Sequence, residues 1–329
     1  MPIVAIASAV PDRVEDAAAI AAVTGAKVDF IIDKVGLRER HVLGPGEGGV
    51  DLAATACRRL LAATGCEAGA VDLVVFVTQT PDYPIPHNSA LLAARLGLPD
   101  SLAAYDLNLG CSGYVYGLSQ VEHFLAGEGL ETALLVTCDP YTRIVAPEDK
   151  ATNALFGDAA TATLMRRSSG RGTIGRADFG TDGTSYKALI REAGGAMKPL
   201  IGALDAAQPV YRRDELRLRM NGREVYNFVM DRMPASVDAC LAKNRLTLAD
   251  IDLFAFHQGS RYMVEQLAAR VGAPEEKLLF NIERYGNTVS STIPLLLEEV
   301  LAGERRPYRV LVCGFGVGLS WATNVIAFD

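Results

Sequence analysis

Two kinds of segment alternate along the chain. Short, almost continuously apolar runs rich in Val, Leu and Phe predict strands that are buried on both faces. The stretches between them carry Ala and Leu every three or four residues, which indicates helices with one buried side. In the first half of the chain the strands are predicted at 71–78, 103–109 and 132–138, and the helices at about 51–64, 87–97 and 112–126. Glycines are predicted to end helices at Gly97, Gly127 and Gly272.

The chain contains two copies of this pattern. LAARLGLP at 92–99 recurs as LAARVGAP at 267–274, and LAGE at 125–128 recurs at 301–304. Ala- and Leu-rich helices often look alike, but chance likeness would not preserve both order and a spacing of roughly 175 residues. The matches therefore indicate an internal duplication.

The duplication predicts an α/β fold of two similar halves related by a pseudo-twofold axis. We expect the N-terminal half to span residues 1–169 and the C-terminal half to span 170–329. Two segments, 140–155 and about 170–215, have no counterpart in the other half. Such insertions are where a duplicated scaffold usually places its substrate contacts.

The composition narrows the classes of function. Lys and Arg number 32 against 39 Asp and Glu, which gives a net charge of −7. Surfaces that bind nucleic acids or anionic membranes are normally basic, so we expect neither partner. Six cysteines without a CxxC pair indicate a reduced, cytoplasmic protein. The N-terminal segment is expected to be a strand rather than a signal peptide, and no apolar run is long enough to cross a membrane.

Neither a metal nor a nucleotide cofactor is expected. The four histidines and six cysteines do not have the spacing of a zinc site. No GxGxxG follows the first strand and no GxxxxGKS/T occurs, so the motifs for dinucleotides and for nucleotide phosphates are both missing. The glycine-rich stretch at 313–321 is interpreted as a tight turn that donates backbone N–H groups.

The two copies carry different residues at the positions where catalytic side chains are expected. Cys111, in DLNLGCSG, follows a strand and begins a helix, and the corresponding position of the second copy is Asn287, in ERYGNTVS. His257 follows the strand LFAF, whose counterpart in the first half ends at Val77. Junctions of this kind converge at the edge of an α/β sheet where ligands bind, so we expect the three side chains to meet.

Cys111 is the candidate nucleophile. The positive end of the helix dipole and free N–H groups are expected to lower the pKa of a thiol in the first helical turn and to favour the thiolate. Gly110 and Gly113 leave room for a substrate beside it. His257 alone would be interpreted as a core histidine, and its place in the repeat makes it a candidate. Other cysteines are expected to be inert core residues: Cys57, Cys66, Cys138 and Cys240.

Several motifs occur in a fixed order over almost the whole chain. They include DLNLGCSGYVYGL (106–118), LFGDAATATLM (155–165), FAFHQ (254–258), RYGNT (284–288) and FGVGLSW (315–321). In this combination the chain resembles the thiolase superfamily, and within it the β-ketoacyl-(acyl carrier protein) synthase III group. The resemblance implies a five-layered αβαβα fold, a homodimer, and no metal or redox cofactor. It also implies a catalytic triad of Cys111, His257 and Asn287.

The resemblance implies a reaction in two steps. Cys111 attacks an acyl thioester, usually acyl-coenzyme A, and keeps the acyl group. A malonyl thioester of coenzyme A or of acyl carrier protein then loses CO2, and its carbanion attacks the acyl-enzyme to give a 3-oxoacyl product. His257 and Asn287 are expected to donate hydrogen bonds to the malonyl thioester oxygen, and the backbone N–H groups of Cys111 and Val317 to form the oxyanion hole. Because the helix terminus is expected to produce the thiolate, acylation should survive without His257.

Three positions depart from the family where it contacts coenzyme A. Phe30 and Lys34 stand where the family commonly has the Trp and Arg that hold the adenine end, and Lys150 replaces a second Arg. Lys supplies a charge but neither the stacking surface nor the forked hydrogen bonding of Arg. We still expect these three residues to contact coenzyme A.

Two further departures concern the carrier protein. Tyr262 and Asn227 stand where the family usually has basic residues, and the nearest Arg is shifted by one position to Arg261. These changes favour a specialised lipid or polyketide pathway over fatty-acid initiation. Two alternatives stay open. One is acyl transfer to an oxygen or nitrogen acceptor without decarboxylation, and the other is a non-catalytic partner subunit, against which the intact Cys, His and Asn set argues.

The segment TPDYPIP at 80–86 carries a prediction about the acyl group. In the resembling enzymes this segment reaches across the dimer, and its bulky residue closes the acyl pocket of the partner subunit. That residue is Ile85 here, where members restricted to acetyl primers carry Phe. The smaller side chain leaves space for further methylenes, each worth about 0.8 kcal/mol when buried, so we expect longer or more branched primers. The alternative is that Ile85 only packs at the dimer interface.

Overall fold

The computed structural model describes residues 2–200, 211–303 and 307–329. In these ranges the strands are β1 Pro2–Ala9, β2 Val14–Asp16, β3 Glu39–His41, β4 Leu73–Val77, β5 Ala103–Leu107, β6 Thr132–Cys138, β7 Ala160–Arg166, β8 Gly172–Ile174, β9 Asp178–Thr181, β10 Leu189–Ile190, β11 Arg219–Met220, β12 Leu253–Phe256, β13 Tyr308–Gly316 and β14 Ser320–Phe328. The α-helices are α1 Ala17–Thr24, α2 Val28–Phe30, α3 Gly49–Thr64, α4 Asn88–Leu96, α5 Gly113–Glu128, α6 Gly222–Asn244, α7 Arg261–Val271, α8 Ile282–Tyr285 and α9 Thr292–Ala302.

Most of the strands belong to one mixed sheet with the order β12-β13-β14-β8-β1-β7-β6-β4-β5, and β9 pairs with β14. In the first half β6 is parallel to β4 and antiparallel to β7. In the second half β13 is parallel to β12 and antiparallel to β14. The short strand β8 pairs with both β1 and β14 and joins the halves. Equivalent pairing in both halves is what an internal duplication produces, while the boundary at 169/170, between β7 and β8, stays a prediction.

Buried strand residues face two different sets of helices. Val75 and Val77 of β4 pack into a core shared with α5 and α9, which lies between the two halves of the sheet. Val74 and Phe76, on the opposite face, pack against α3 and α4. In the second half Phe254 packs outward against α6 and α7. The layers therefore run helices, sheet, helices, sheet, helices, which is the predicted αβαβα architecture.

The three glycines that were predicted to mark helix ends lie in or just after the last turn of their helices. Gly97 and Gly272 follow α4 and α7 with φ of 64° and 81°, a left-handed conformation that glycine adopts without strain. Gly127 lies in the last turn of α5, which continues to Glu128, and the left-handed residue that follows is Gly129, with φ of 71°. The helix therefore ends at Gly129, and the chain continues from there toward β6.

The segment after β6, predicted as an insertion, is held by a buried arginine. The guanidinium of Arg40 donates hydrogen bonds to the carbonyl oxygens of Asn153 and Phe156 and forms an ion pair with Glu15 at 2.7 Å. Arg40 is buried, and its guanidinium replaces water as the hydrogen-bond donor to these two carbonyl groups. Residues 201–210 of the second predicted insertion lie outside the described residues. Across the described ranges, no helix has both the length and the apolar character needed to cross a membrane.

Candidate active site

Cys111, His257 and Asn287 line one pocket of about 380 Å³. Their side chains are 5%, 3% and 5% exposed, so each is withdrawn from bulk water. The three residues come from the connections after β5, β12 and α8, which the two halves of the fold bring together. Most of the other residues that line the pocket are apolar or glycine, and they include Leu155, Phe156, Leu189, Val225, Met263 and Phe315.

Cys111 lies in the turn between β5 and α5, and α5 begins two residues later at Gly113. The end of β13 packs directly on this turn. A Cβ at Gly316 would lie 3.0 Å from the Sγ of Cys111, and one at Gly314 would lie 2.6 Å from its carbonyl oxygen, so neither position has room for a side chain. The close approach places the backbone that leads into Val317 beside the thiol. The oxyanion-hole role of Val317 itself stays a prediction.

A chain of hydroxyl groups fixes the position of Val317 relative to the Cys111 turn. The Oγ of Ser112 lies 2.8 Å from the Oγ of Ser320, and the Ser320 hydroxyl donates to the Val317 carbonyl oxygen at 2.8 Å. Ser112 and Ser320 are both buried. The carbonyl group of Val317 is therefore already used in a hydrogen bond within the protein.

Burial controls the protonation of Cys111. Desolvation raises the pKa of the Cys111 thiol well above its usual range, the nearby Asp139 carboxylate raises it further, and a backbone N–H group lowers it. Burial therefore opposes formation of the expected thiolate, and the effect of the helix terminus on the thiol stays a prediction. A neutral thiol needs a base before it can attack a thioester.

His257 lines the same pocket as Cys111. Burial lowers the pKa of the His257 imidazole to about 3, so the ring is neutral at physiological pH. Its Nδ1 lies 2.8 Å from the Oγ1 of Thr292, and the ring of Phe315 meets it edge-on with 5.4 Å between ring centres. Nδ1 is thus paired with a protein group, whereas Nε2 can form a hydrogen bond with a ligand in the pocket.

Asn287 is held through its backbone and one side-chain oxygen. Its backbone N–H donates to the carbonyl oxygen of Leu155 at 2.9 Å, and its own carbonyl oxygen accepts from the N–H of Gly157 at 3.1 Å. The Oδ1 atom accepts from the N–H of Val289 at 2.9 Å. Because Oδ1 is engaged in this way, the NH₂ group is the part of the amide available to a ligand.

The residues expected to contact coenzyme A lie around the pocket entrance. Phe30 and Lys150 line the pocket, and the Phe30 side chain is 48% exposed. Lys34 is also exposed, and its Nζ lies 5.4 Å from the ring centre of Tyr262. This arrangement brings an aromatic face and two cations to one rim. Their contacts with coenzyme A stay a prediction.

Tyr262, rather than Arg261, lines the pocket. The guanidinium of Arg261 lies 5.3 Å from the ring centre of Phe280 and so packs away from the entrance. Tyr262 stacks on Tyr226 with 6.0 Å between ring centres. The sequence analysis missed this pair, because the two tyrosines belong to separate helices, α6 and α7, and no motif links them.

Ile85 does not line the pocket of its own chain. It is 87% exposed, in a loop that also exposes Tyr83. The start of this loop is anchored, since the carboxylate of Asp82 accepts hydrogen bonds from the N–H groups of Gly49 and Val50 at 2.8 and 3.1 Å. The loop therefore presents two apolar side chains to solvent from a fixed base.

Asp139 is a buried group of the site that the sequence analysis missed. It directly follows β6, and its carboxylate accepts hydrogen bonds from the Gln79 N–H at 2.6 Å and the Ser290 hydroxyl at 2.5 Å. Desolvation raises the pKa of Asp139 to about 6, against the lowering effect of these hydrogen bonds. Its position after a buried strand is the same signal that identified His257. Asp139 ties the turn that follows Asn287 to the first half of the sheet.

All six cysteines of the chain are free and buried. Within 2–200, 211–303 and 307–329, no group of three or more His, Cys, Asp or Glu side chains is arranged to hold a metal ion.

Asp139 should make the stability of the protein depend on pH. Its carboxyl has a pKa of about 6 in the folded chain, above the ordinary value of 3.8, so the folded state binds this proton more tightly than the unfolded state. The stability that Asp139 contributes, relative to Asp139→Asn, should therefore fall by about 3 kcal/mol or less as pH rises from about 4 to about 7. Urea unfolding of both proteins across this range measures the difference.

The exposed Asp12→Asn variant, measured in the same way, is the matched control for the loss of one carboxylate. A difference between the unsubstituted protein and Asp139→Asn that does not change with pH would contradict the assignment.

Two family models match the chain. The model for 3-oxoacyl-[acyl-carrier-protein (ACP)] synthase III matches residues 105–183, and the model for the C-terminal part of that enzyme matches residues 241–328. Cys111 lies in the first match, and His257 and Asn287 lie in the second. A curated relative, the β-ketoacyl-[acyl-carrier-protein] synthase III of Paramagnetospirillum magneticum (strain ATCC 700264 / AMB-1), is 32% identical over 333 residues, with 98% of each chain covered.

Solved structures with the same arrangement carry the same description. A 3-oxoacyl-(acyl-carrier-protein) synthase III superposes with a TM-score of 0.92 and 38% identity, covering 99% of both chains. The β-ketoacyl-[acyl carrier protein] synthase III of Thermus thermophilus superposes with a TM-score of 0.89 and 33% identity, covering 100% of this chain and 99% of that one. The similarity thus extends over the entire fold, including every element that contributes to the pocket.

Proposed function

This chain belongs to the 3-oxoacyl-(acyl-carrier-protein) synthase III family, and from that membership we propose the roles of its residues and the nature of its substrates. The reaction is a decarboxylative condensation that joins an acyl group to a malonyl thioester and gives a 3-oxoacyl product. One observation supports the proposed roles above the others. A buried thiol, a neutral imidazole and an amide NH₂ group share a single apolar pocket, without bulk water to compete with them.

In the first half-reaction Cys111 takes the acyl group from acyl-coenzyme A. Nε2 of His257 accepts the thiol proton while Sγ bonds to the carbonyl carbon, and the backbone N–H groups of Cys111 and Val317 stabilise the oxyanion. The tetrahedral intermediate then expels the coenzyme A thiolate, which takes the proton from the imidazolium. The acyl group stays on Sγ as a thioester.

In the second half-reaction a malonyl thioester occupies the same pocket. Asn287 donates a hydrogen bond to the thioester oxygen, and His257 donates a second one when Nε2 carries a proton. Loss of CO2 leaves an enolate on that oxygen, and its carbon attacks the acyl carbonyl. The bond to Sγ breaks, and the Cys111 thiolate regains a proton from solvent. An apolar lining favours this step because the malonyl carboxylate is converted to neutral CO2.

The entrance is proposed to hold the thioester carriers. Phe30 offers a ring for the adenine of coenzyme A, and Lys34 and Lys150 offer charges for its phosphates. The relatives' names indicate an acyl carrier protein as the carrier of the malonyl group. Tyr262 and Asn227 give this rim fewer cations than the resembling family usually has, so the specialised lipid or polyketide pathway remains part of the proposal.

A homodimer completes the proposal. Ile85 and Tyr83 expose apolar side chains beside an open cavity of about 1080 Å³ that Tyr83 itself lines. Exposed apolar side chains on an anchored loop are typical of a contact with another protein. In the proposed assembly this loop of one subunit closes the acyl pocket of the other.

Separate removal of His257 and Asn287 tests the proposed roles. His257→Ala should slow acylation of Cys111 by about 10²–10⁴, because the buried thiol loses its base. Asn287→Ala should leave acylation nearly unchanged and lower CO2 release from malonyl thioester by about 10²–10³, because the enolate loses a donor. Rapid mixing with acyl-coenzyme A followed by mass spectrometry measures acylation, and labelled malonyl thioester measures CO2 release.

Cys111→Ala is the control and should form no acyl adduct. An adduct on Cys138 or Cys313 would overturn the nucleophile assignment. Full CO2 release by Asn287→Ala would overturn its role as donor. Efficient acyl transfer to an oxygen or nitrogen acceptor with no CO2 release would instead support the alternative function.

The length of the acyl group tests the role of Ile85. Ile85→Phe should shift acylation toward acetyl and slow longer or branched acyl groups, because the larger ring takes up space at the end of the partner's pocket. Each excluded methylene corresponds to about 0.8 kcal/mol, or roughly fourfold in rate. Acylation rates across a series of acyl-coenzyme A chain lengths provide the comparison. Val23→Phe, at another exposed apolar position, is the matched control, and an unchanged length profile in Ile85→Phe would exclude the pocket role.

A further inference from the structure

The turn between α8 and α9 connects both candidate catalytic side chains of the second half. At its centre is Val289, whose backbone N–H and carbonyl groups both form hydrogen bonds within the turn. The N–H of Val289 donates to Oδ1 of Asn287 at 2.9 Å, and its carbonyl oxygen lies 3.2 Å from the Oγ1 of Thr292. Thr292 in turn contacts Nδ1 of His257 at 2.8 Å. One residue therefore links the orientation of the amide to that of the imidazole.

This turn is held in a conformation that its sequence does not favour. Val289 has a φ of 56°, in the left-handed region that β-branched residues rarely adopt. Such a conformation persists only where the surroundings impose it. Here the Ser290 hydroxyl donates to Asp139 at 2.5 Å, and the Oγ of Ser291 lies 2.7 Å from the Oγ1 of Thr137. The buried end of β6 thus fixes the backbone from which Thr292 projects.

A hydroxyl is an unusual partner for Nδ1 because it can act in two ways. It accepts from Nδ1–H while donating to the Val289 carbonyl, and Nε2 then has a lone pair. Alternatively it donates to Nδ1, and Nε2 then carries the proton. A backbone carbonyl oxygen could pair with only the first tautomer. Thr292 is 1% exposed, so water does not replace it.

We propose that Thr292 is a positioning residue that satisfies Nδ1 of His257 in either tautomer and keeps Nε2 directed at the reacting thiol. The inference rests on the proposed function, in which Nε2 accepts a proton in one half-reaction and donates a hydrogen bond in the other. Without the hydroxyl, Nδ1 is a buried polar atom with no partner, and the ring loses the contact that sets its rotation.

The test compares Thr292→Val with Thr292→Ser. Thr292→Val keeps the volume and removes the hydroxyl, so acylation and CO2 release should each fall by about tenfold to a hundredfold, with little change in KM for the malonyl thioester. Thr292→Ser keeps the hydroxyl and should restore both rates to within about threefold. In the His257→Ala background, Thr292→Val should have no further effect, because Thr292 acts through the imidazole.

Thr288→Val is the matched control for substitution in this turn. The Thr288 hydroxyl is buried and has no hydrogen-bond partner in the part of the chain that the structure describes, so its loss should not change the rates. Thermal unfolding establishes that each variant folds. The positioning role is wrong if Thr292→Val is as active as the unsubstituted enzyme. It is also wrong if Thr292→Val slows the His257→Ala enzyme by the same factor as it slows the enzyme that has His257. If His257→Ala is itself fully active, the proposed function fails first.

Discussion

Desolvation of the pocket base determines what each polar group there can do. It raises the pKa of the Cys111 thiol, lowers the pKa of the His257 imidazole and raises the pKa of the Asp139 carboxyl. None of these groups can rely on water to complete its hydrogen bonds, so each needs a fixed partner in the protein. Burial therefore favours the neutral forms of the thiol and the imidazole before a substrate binds.

The layered fold supplies those fixed partners. Helices α5 and α9 pack between the two halves of the sheet, which brings the start of α5, with Cys111 just before it, against the end of β13. The duplication then places the turns of the two halves on either side of one pocket. A shift of either half would separate the thiol from the imidazole, since the three residues share no local segment of chain.

Much of this arrangement could be predicted from the sequence. Strand β6 has the predicted bounds, 132–138, because it is a continuous apolar run, and the three residues that the repeat singled out line one pocket. Cys111 and His257 follow strands as expected, whereas Asn287 follows the short helix α8. The opposing effect of burial on the pKa of Cys111 was missed, since a helix terminus is visible in the sequence whereas the depth of burial is not. Asp139 and Thr292 were missed because their roles depend on contacts between segments about 150 and 35 residues apart.

The protonation state of Cys111 in the resting enzyme can be measured directly, and burial predicts a neutral thiol. Thiolates absorb ultraviolet light where thiols do not, so the absorbance of the protein minus that of Cys111→Ala isolates this one sulfur across a pH titration. A protonated resting thiol predicts no thiolate absorbance at neutral pH, and its appearance only in strongly alkaline solution. A full thiolate signal at neutral pH that disappears in acid would contradict it, because Cys111 and His257 would then form an ion pair despite their burial.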